Sequence, residues 1–212
     1  MIQIKSFTFN PFAENTYLLY DESGEAIIID AGCYDASEVA ILKDFVAQAG
    51  LRPVALVNTH CHIDHVLGIN ALKALYNIPL LAHEAEAFNF SEPALQLIKM
   101  WGFHDFEACS IDQFISEKDT VRFGNSSLEI RFTPGHSPGH LVFYHAEQGF
   151  CINGDVLFQG SIGRTDLPGG NHSQLIQSIR SQMFSLPDDT VIYTGHGEPT
   201  SIGFEKAHNP FL

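Results

Sequence analysis

The chain has 212 residues, 45% of them apolar, with 25 acidic against 11 basic side chains and a formal charge of −14. A globule of this length buries roughly 70–75% of its unfolded surface, and that composition excludes a disordered polyelectrolyte. No stretch reaches the ~20 apolar residues that span a bilayer, and neither half of the chain is basic, so neither a membrane nor a nucleic acid is expected as a partner.

The N-terminus alternates polar and apolar positions at Ile2, Ile4, Phe7 and Phe9. Residues 16–20 and 26–29 are rich in strand formers around an Asp21-Glu22-Ser23-Gly24 turn, which predicts an opening β-meander. No secretory leader is read there, so the chain is expected in the cytoplasm with Cys33, Cys61, Cys109 and Cys151 as reduced thiols. Residues 36–50 carry a helical rhythm closed by Gly50, and residues 54–57 form a short apolar run that reads as a buried strand. A helix is predicted over 67–76 and a strand over 80–82; residues 85–115 show no clear period. Further on, 128–133 reads as a strand, 141–144 and 150–153 as a hairpin around Glu147-Gln148-Gly149, 173–184 as a helix and 191–193 as a last strand. Interleaved strands and helices indicate helices layered on sheets. Residues 1–212 are expected to form a single domain.

The segment Thr59-His60-Cys61-His62-Ile63-Asp64-His65 directly follows an apolar strand. In extended backbone, side chains two apart point the same way, so His60 and His62 can reach one metal, while Asp64 and His65 can face a second point as the chain turns. The same alternation turns Cys61 away and makes it a packed thiol. His136, Asp155 and His196 each follow a later apolar strand beside glycine. Imidazole and carboxylate suit zinc, iron or manganese. Asp30, in Ile-Ile-Ile-Asp-Ala-Gly, either orients a ligating histidine or serves as a turn residue. His83 and His140 are the two further histidines that could support ligands. His104, His145, His172 and His208 match no ligand position.

The pattern H-x-H-x-D-H followed by a distant His, Asp and His resembles the metallo-β-lactamase superfamily. That resemblance implies an α+β, four-layer αββα sandwich. It also implies that His60, His62 and His136 hold one metal, that Asp64, His65 and His196 hold another, and that Asp155 bridges them. Asp64 and Asp155 are then the candidate catalytic carboxylates. The stretch Gly160-Ser161-Ile162-Gly163-Arg164-Thr165-Asp166, the Gly195-His196-Gly197 turn and a tail carrying Thr200, Ile202, Gly203, Glu205 and Asn209-Pro210-Phe211-Leu212 look like the short bacterial glyoxalase II-type hydrolases. This implies hydrolysis of a small-molecule thioester of the S-lactoylglutathione kind by a metal-bound hydroxide on two divalent metals, with zinc the first choice and iron or manganese the alternatives. The chain is expected to lack the C-terminal helical domain of the longer glyoxalase II enzymes. Arg164 stands where they have a glutathione-contacting lysine, and Asp166 where they have a tyrosine. Arg164 either contacts a substrate anion or forms a surface ion pair. Rival readings on the same residues are a mononuclear iron persulfide dioxygenase using His60, His136 and Asp155, and a lactonase. No G-x-S-x-G elbow or H-E-x-x-H helix supports a serine hydrolase or zincin. The aromatic-rich residues 88–114 belong either to a pocket lid or to the core.

Overall fold

Several strands of this chain are buried on both faces, so each sheet must be covered from two sides. In the computed structural model, which describes residues 1–212, β1 (Gln3–Phe9), β2 (Glu14–Tyr20), β3 (Glu25–Ile29), β4 (Arg52–Val57), β5 (Leu80–Ala82) and β6 (Gln113–Phe114) form one six-stranded sheet in that order. The first three are antiparallel and the rest run parallel to β3. The second sheet is built from β7 (Thr120–Phe123), β8 (Ser126–Phe132), β9 (Leu141–His145), β10 (Phe150–Gly154), β13 (Val191–Thr194) and β14 (Thr200–Ser201), with β11 (Leu157–Phe158) and β12 (Ser161–Ile162) as a small separate hairpin.

Alternation along the strands sorts the apolar residues into three cores. Leu19, Ile27, Ile29 and Val57 of the first sheet meet Leu141, Phe143 and Ile152 of the second. Their neighbours Leu18, Ile28 and Leu56 face outward, against α1 (Ala36–Gln48) through Leu42 and α2 (Ile69–Tyr76) through Leu72. Val142, Tyr144 and Cys151 point out of the second sheet onto α4 (His172–Ser178) through Leu175 and α5 (Ile202–His208) through Ile202. The result is the four-layer αββα sandwich. No helix is long and apolar enough to cross a membrane.

Three local features differ from or extend the sequence reading. The unassigned 85–115 region contains a 3-10 segment at Glu84–Phe90, helix α3 (Glu92–Met100) and the edge strand β6. The helix expected over 173–184 is α4 continued by a wider π-type turn over Ile179–Met183, with Phe184 N–H donating to the Ile179 carbonyl at 2.9 Å. Strands β7 and β14, the β11–β12 hairpin and α5 were not anticipated.

Away from the strand ends where the candidate ligands lie, Asp21 clasps the two sheets together. Its carboxylate accepts from Ser23 N–H (2.9 Å) in its own turn, and from Asn125 N–H (2.7 Å) and Ser126 Oγ (2.7 Å) in the β7–β8 turn. Burial works to raise this carboxyl, but the hydrogen bonds from Ser23, Ser126 and Asn125 bring it down to about 2. The contribution is therefore present above the ordinary carboxylate range and is lost as pH falls through about 2. Asp21→Ala should cost about 1–2 kcal/mol at pH 7 in urea denaturation, and the gap from the parent should close toward pH 2. An equal gap at pH 7 and pH 2 would show that the clasp does not act through the ionised carboxylate.

Candidate metal centre

The ends of β4, β8, β10 and β13 all point to one edge of the sandwich, because β8, β10 and β13 run the same way within their sheet. Beyond β4 the backbone stays extended through His62 (φ −66°, ψ 156°) and then closes in one 3-10 turn, Ile63–His65. His60 and His62 accordingly share a side, and Cys61 lies buried in the core beneath the helices. Asn58 fastens this loop by donating from Nδ2 to the carbonyls of His60 (2.9 Å) and His65 (3.0 Å).

Three imidazoles converge first. His62 Nδ1 lies 2.9 Å from His136 Nε2, which lies 3.2 Å from His60 Nε2. A second group sits beside it: His196 Nε2 is 3.1 Å and His65 Nε2 is 3.6 Å from Asp64 Oδ2. Asp155 lies between the groups. One oxygen is 3.5 Å from both His136 Nε2 and His196 Nε2, and the other is 3.6 Å from His65 Nε2. All seven sequence-designated residues are thus brought to one place.

The nitrogen on the far side of each of four rings is fixed. His136 Nδ1 donates to the Arg164 carbonyl (2.8 Å) and His196 Nδ1 to the Phe12 carbonyl (3.1 Å). His65 Nδ1 meets Asp30 Oδ2 at 3.1 Å. Thr59 Oγ1 gives its proton to Asp30 Oδ2 (2.6 Å), so it accepts from His60 Nδ1 at 3.0 Å. Asp30 holds both through a left-handed backbone (φ +54°), which Asp tolerates better than most residues. It contacts His65 directly and His60 through Thr59, the geometry of the first of its two anticipated roles. His140 accepts the Asp155 N–H at Nε2 (3.1 Å) and stacks on His60, whereas His83 stacks on Phe132 and caps the 3-10 segment.

These tautomers test whether a cation fits. With both Nδ1 atoms donating, His60 Nε2 and His136 Nε2 present lone pairs to each other across 3.2 Å. Burial, reinforced by neighbouring imidazoles, holds His60 well below its usual range and His62 at about 3; burial also lowers His136. The first group is neutral and electron-rich. Burial also opposes charge on His65 and His196, but the Asp64 and Asp155 carboxylates outweigh it and raise both. His65 Nε2 and Asp155 Oδ1 are buried without a hydrogen-bond partner. Facing lone pairs, orphaned donor atoms and an N/O set fit divalent cations.

The centre opens into a cleft of about 960 Å³ whose lining includes His62, Asp64, His136, Asp155 and His196. Phe88, Leu97 and Trp101 of the 84–101 segment form one wall, while Ile98 enters the core, so that segment serves both anticipated purposes. Arg164 also lines the cleft, but its guanidinium is engaged by Asp166. Gly195 is required here: a Cβ would overlap Asp155 Oδ1 and approach His65 Cε1 to 2.9 Å.

Sequence reasoning missed two buried carboxylates beside the centre. Glu86 accepts from Cys61 N–H (2.7 Å), Gly139 N–H (2.7 Å) and Ser137 Oγ (2.6 Å), tying the His60–His62 loop to the His136 loop. Glu14, fully buried, reaches within 3.8 Å of His65 Nδ1. Neither lies in a recognisable ligand motif; the early Glu-Asn-Thr strand start was the sole hint for Glu14.

Comparison with known proteins is consistent across family, sequence and structure. The family model described as Metallo-beta-lactamase superfamily matches residues 9–196. Hydroxyacylglutathione hydrolase GloC of Haemophilus influenzae is 36% identical over 213 residues, covering 100% of this chain and 98% of that protein. The probable metallo-hydrolase YqgX of Bacillus subtilis is 35% identical over 202 residues, covering 95% and 93%. Among solved structures, the BLEG-1 B3 metallo-beta-lactamase superposes with a TM-score of 0.90 at 34% identity, covering 99% of each chain. TTHA1623 in a di-iron-bound form gives 0.86 at 34%, covering 98% and 100%. ETHE1 from Myxococcus xanthus gives 0.80 at 27%, covering 98% and 83%.

Asp30→Ala should weaken metal binding about 10- to 100-fold by freeing two imidazoles. Competition against a chromophoric chelator measures this directly. Parental affinity in the variant would remove Asp30 from the account.

Proposed function

Because the chain belongs to the metallo-beta-lactamase superfamily of metal-dependent enzymes, we propose that it is a hydrolase that cleaves a glutathione-type thioester with two divalent cations, zinc foremost. The observation that carries this reading is the Asp155 carboxylate, within 3.5–3.6 Å of His136 in one ligand group and of His65 and His196 in the other. The 36% identity to a hydroxyacylglutathione hydrolase supports the substrate class.

In this reading His60, His62 and His136 hold one cation, and Asp64, His65 and His196 the other. Such a pair would supply Lewis acidity toward the thioester carbonyl and would lower the pKa of a bound water toward about 7, so that a hydroxide nucleophile is available near neutral pH. Asp155 keeps the two groups at a fixed separation. Asp64 and Asp155 face the cleft and offer oxygens that orient the attacking water. The Nδ1 contacts of His60, His65, His136 and His196 preserve the donor geometry through turnover. Phe88, Leu97 and Trp101 offer an apolar surface to the substrate. A thiolate leaves without a protein nucleophile, which agrees with the absence of a serine elbow.

Elemental analysis of anaerobically purified protein together with a thiol-release assay on S-lactoylglutathione tests this reading. About two metals per chain and thiol release are expected. Asp155→Ala should hold no more than one metal and lose activity by about 100-fold or more. A single iron with oxygen uptake on glutathione persulfide would replace the hydrolase by the mononuclear dioxygenase reading, for which His60, His136 and Asp155 also converge. Two metals with lactone turnover alone would move the assignment to a lactonase.

A further inference from the structure

The cleft presents a single permanent cation to an anionic thiol. Arg164 is the sole lysine or arginine among its lining residues, and Glu198 adds a carboxylate to the same lining. The Arg164 guanidinium is already bound in two-pronged fashion: Nε and an Nη each donate to one Asp166 oxygen at 2.7 Å. Those hydrogen bonds hold the Asp166 carboxyl down at about 2, so the pair is ionic at any working pH. The same lining holds Phe12, Phe88, Leu97, Trp101, Phe158 and Leu167. Phe12 is fixed from behind by stacking on Phe103 at 5.7 Å, itself met edge-on by Tyr34 at 5.6 Å. Glutathione carries two carboxylates, and a guanidinium already paired in this way is less available to them than a free one.

We propose that Asp166 is a specificity-determining residue that competes with a substrate carboxylate for the Arg164 guanidinium. The inference rests on the thioester reading and sharpens its substrate class. The Arg164 side chain can be altered without touching the metal-facing loop, because His136 is held by the Arg164 backbone carbonyl. The pair is 61% and 68% exposed, so a substrate carboxylate competes with Asp166 on modest terms, worth about two- to fivefold.

The test compares two lactoyl thioesters on the metal-loaded full chain, one of glutathione and one of N-acetylcysteamine, which lacks carboxylates. The ratio of kcat/KM for the two esters in the parent is the reference. Asp166→Ala should shift it toward glutathione about two- to fivefold, through KM rather than kcat, and Asp166→Ala with Arg164→Ala should cancel the shift. Calorimetry with S-methylglutathione, whose sulfur is capped, should show the same gain and its cancellation. No change in the ratio or in S-methylglutathione affinity in Asp166→Ala overturns the inference. If neither ester is hydrolysed, the thioesterase reading fails, and S-methylglutathione affinity alone decides the role of Asp166: no gain in the variant refutes it.

Discussion

Two backbone hydrogen bonds that cross from one sheet to the other set the spacing of the metal-facing loops. Leu141 N–H donates to the Thr59 carbonyl at 2.8 Å, and Asn15 N–H to the Gly195 carbonyl at 2.7 Å. Stacked sheets lie about 10 Å apart, too far for such bonds within the layers. They form where chains leave their strands and bend over the edge of the sandwich, so the centre belongs at that edge for a mechanical reason. The Tyr17 hydroxyl, 2.6 Å from the Thr194 carbonyl, and Asn15 Nδ2, 2.9 Å from the Gly197 carbonyl, brace the same corner around His196. Candidate ligands that arrive from both sheets are thereby held together at one edge.

Buried carboxylates extend this bracing. Burying a charge is costly unless donors surround it. Glu86 collects backbone and side-chain donors from three segments far apart in sequence, including the Asn89 amide at 2.8 Å. Glu205 does the same for the tail: it accepts from Gly160 N–H (3.0 Å), Thr200 Oγ1 (2.5 Å) and Asn209 Nδ2 (2.8 Å). The Thr200, Glu205 and Asn209 positions that carried the family resemblance are therefore a latch. They hold α5 against the β11–β12 hairpin, whose Phe158, Ser161 and Ile162 shape the cleft.

What was legible in the sequence follows from period and spacing. The double-faced strands, the helix capped by Asp35 and the His60–His65 loop announce themselves within a few residues. Strand β7 carried a readable signal as well, since Val121 and Phe123 alternate with exposed neighbours before a Gly-Asn turn. Glu86 could not be read this way. Its partner Gly139 lies 53 residues downstream, and nothing local distinguishes a buried glutamate from a surface one. Arg164 forms the surface ion pair that was one of its two expected roles, but its partner Asp166 was not legible: two residues separate them, and their meeting depends on a loop conformation that no period encodes.

The same distinction divides the labour of the molecule. Donor atoms come from the ends of regular strands, where period-two alternation and cross-sheet bonds fix direction. The cleft walls come from a 3-10 segment, a short helix, a two-residue hairpin and the Arg164 loop, the hairpin being tied to β10 by Asn153 Nδ2 donating to the Leu157 carbonyl at 2.7 Å. Substitution at Phe88, Leu97 or Trp101 changes the shape offered to substrate without moving a donor atom. Substitution at Thr59 or Asp30 moves donor atoms without touching the wall. The chemistry and the choice of substrate are therefore mechanically separable in this chain, with one exception. Residue 164 belongs to both halves: its backbone carbonyl holds His136, while its side chain, paired with Asp166, faces the cleft.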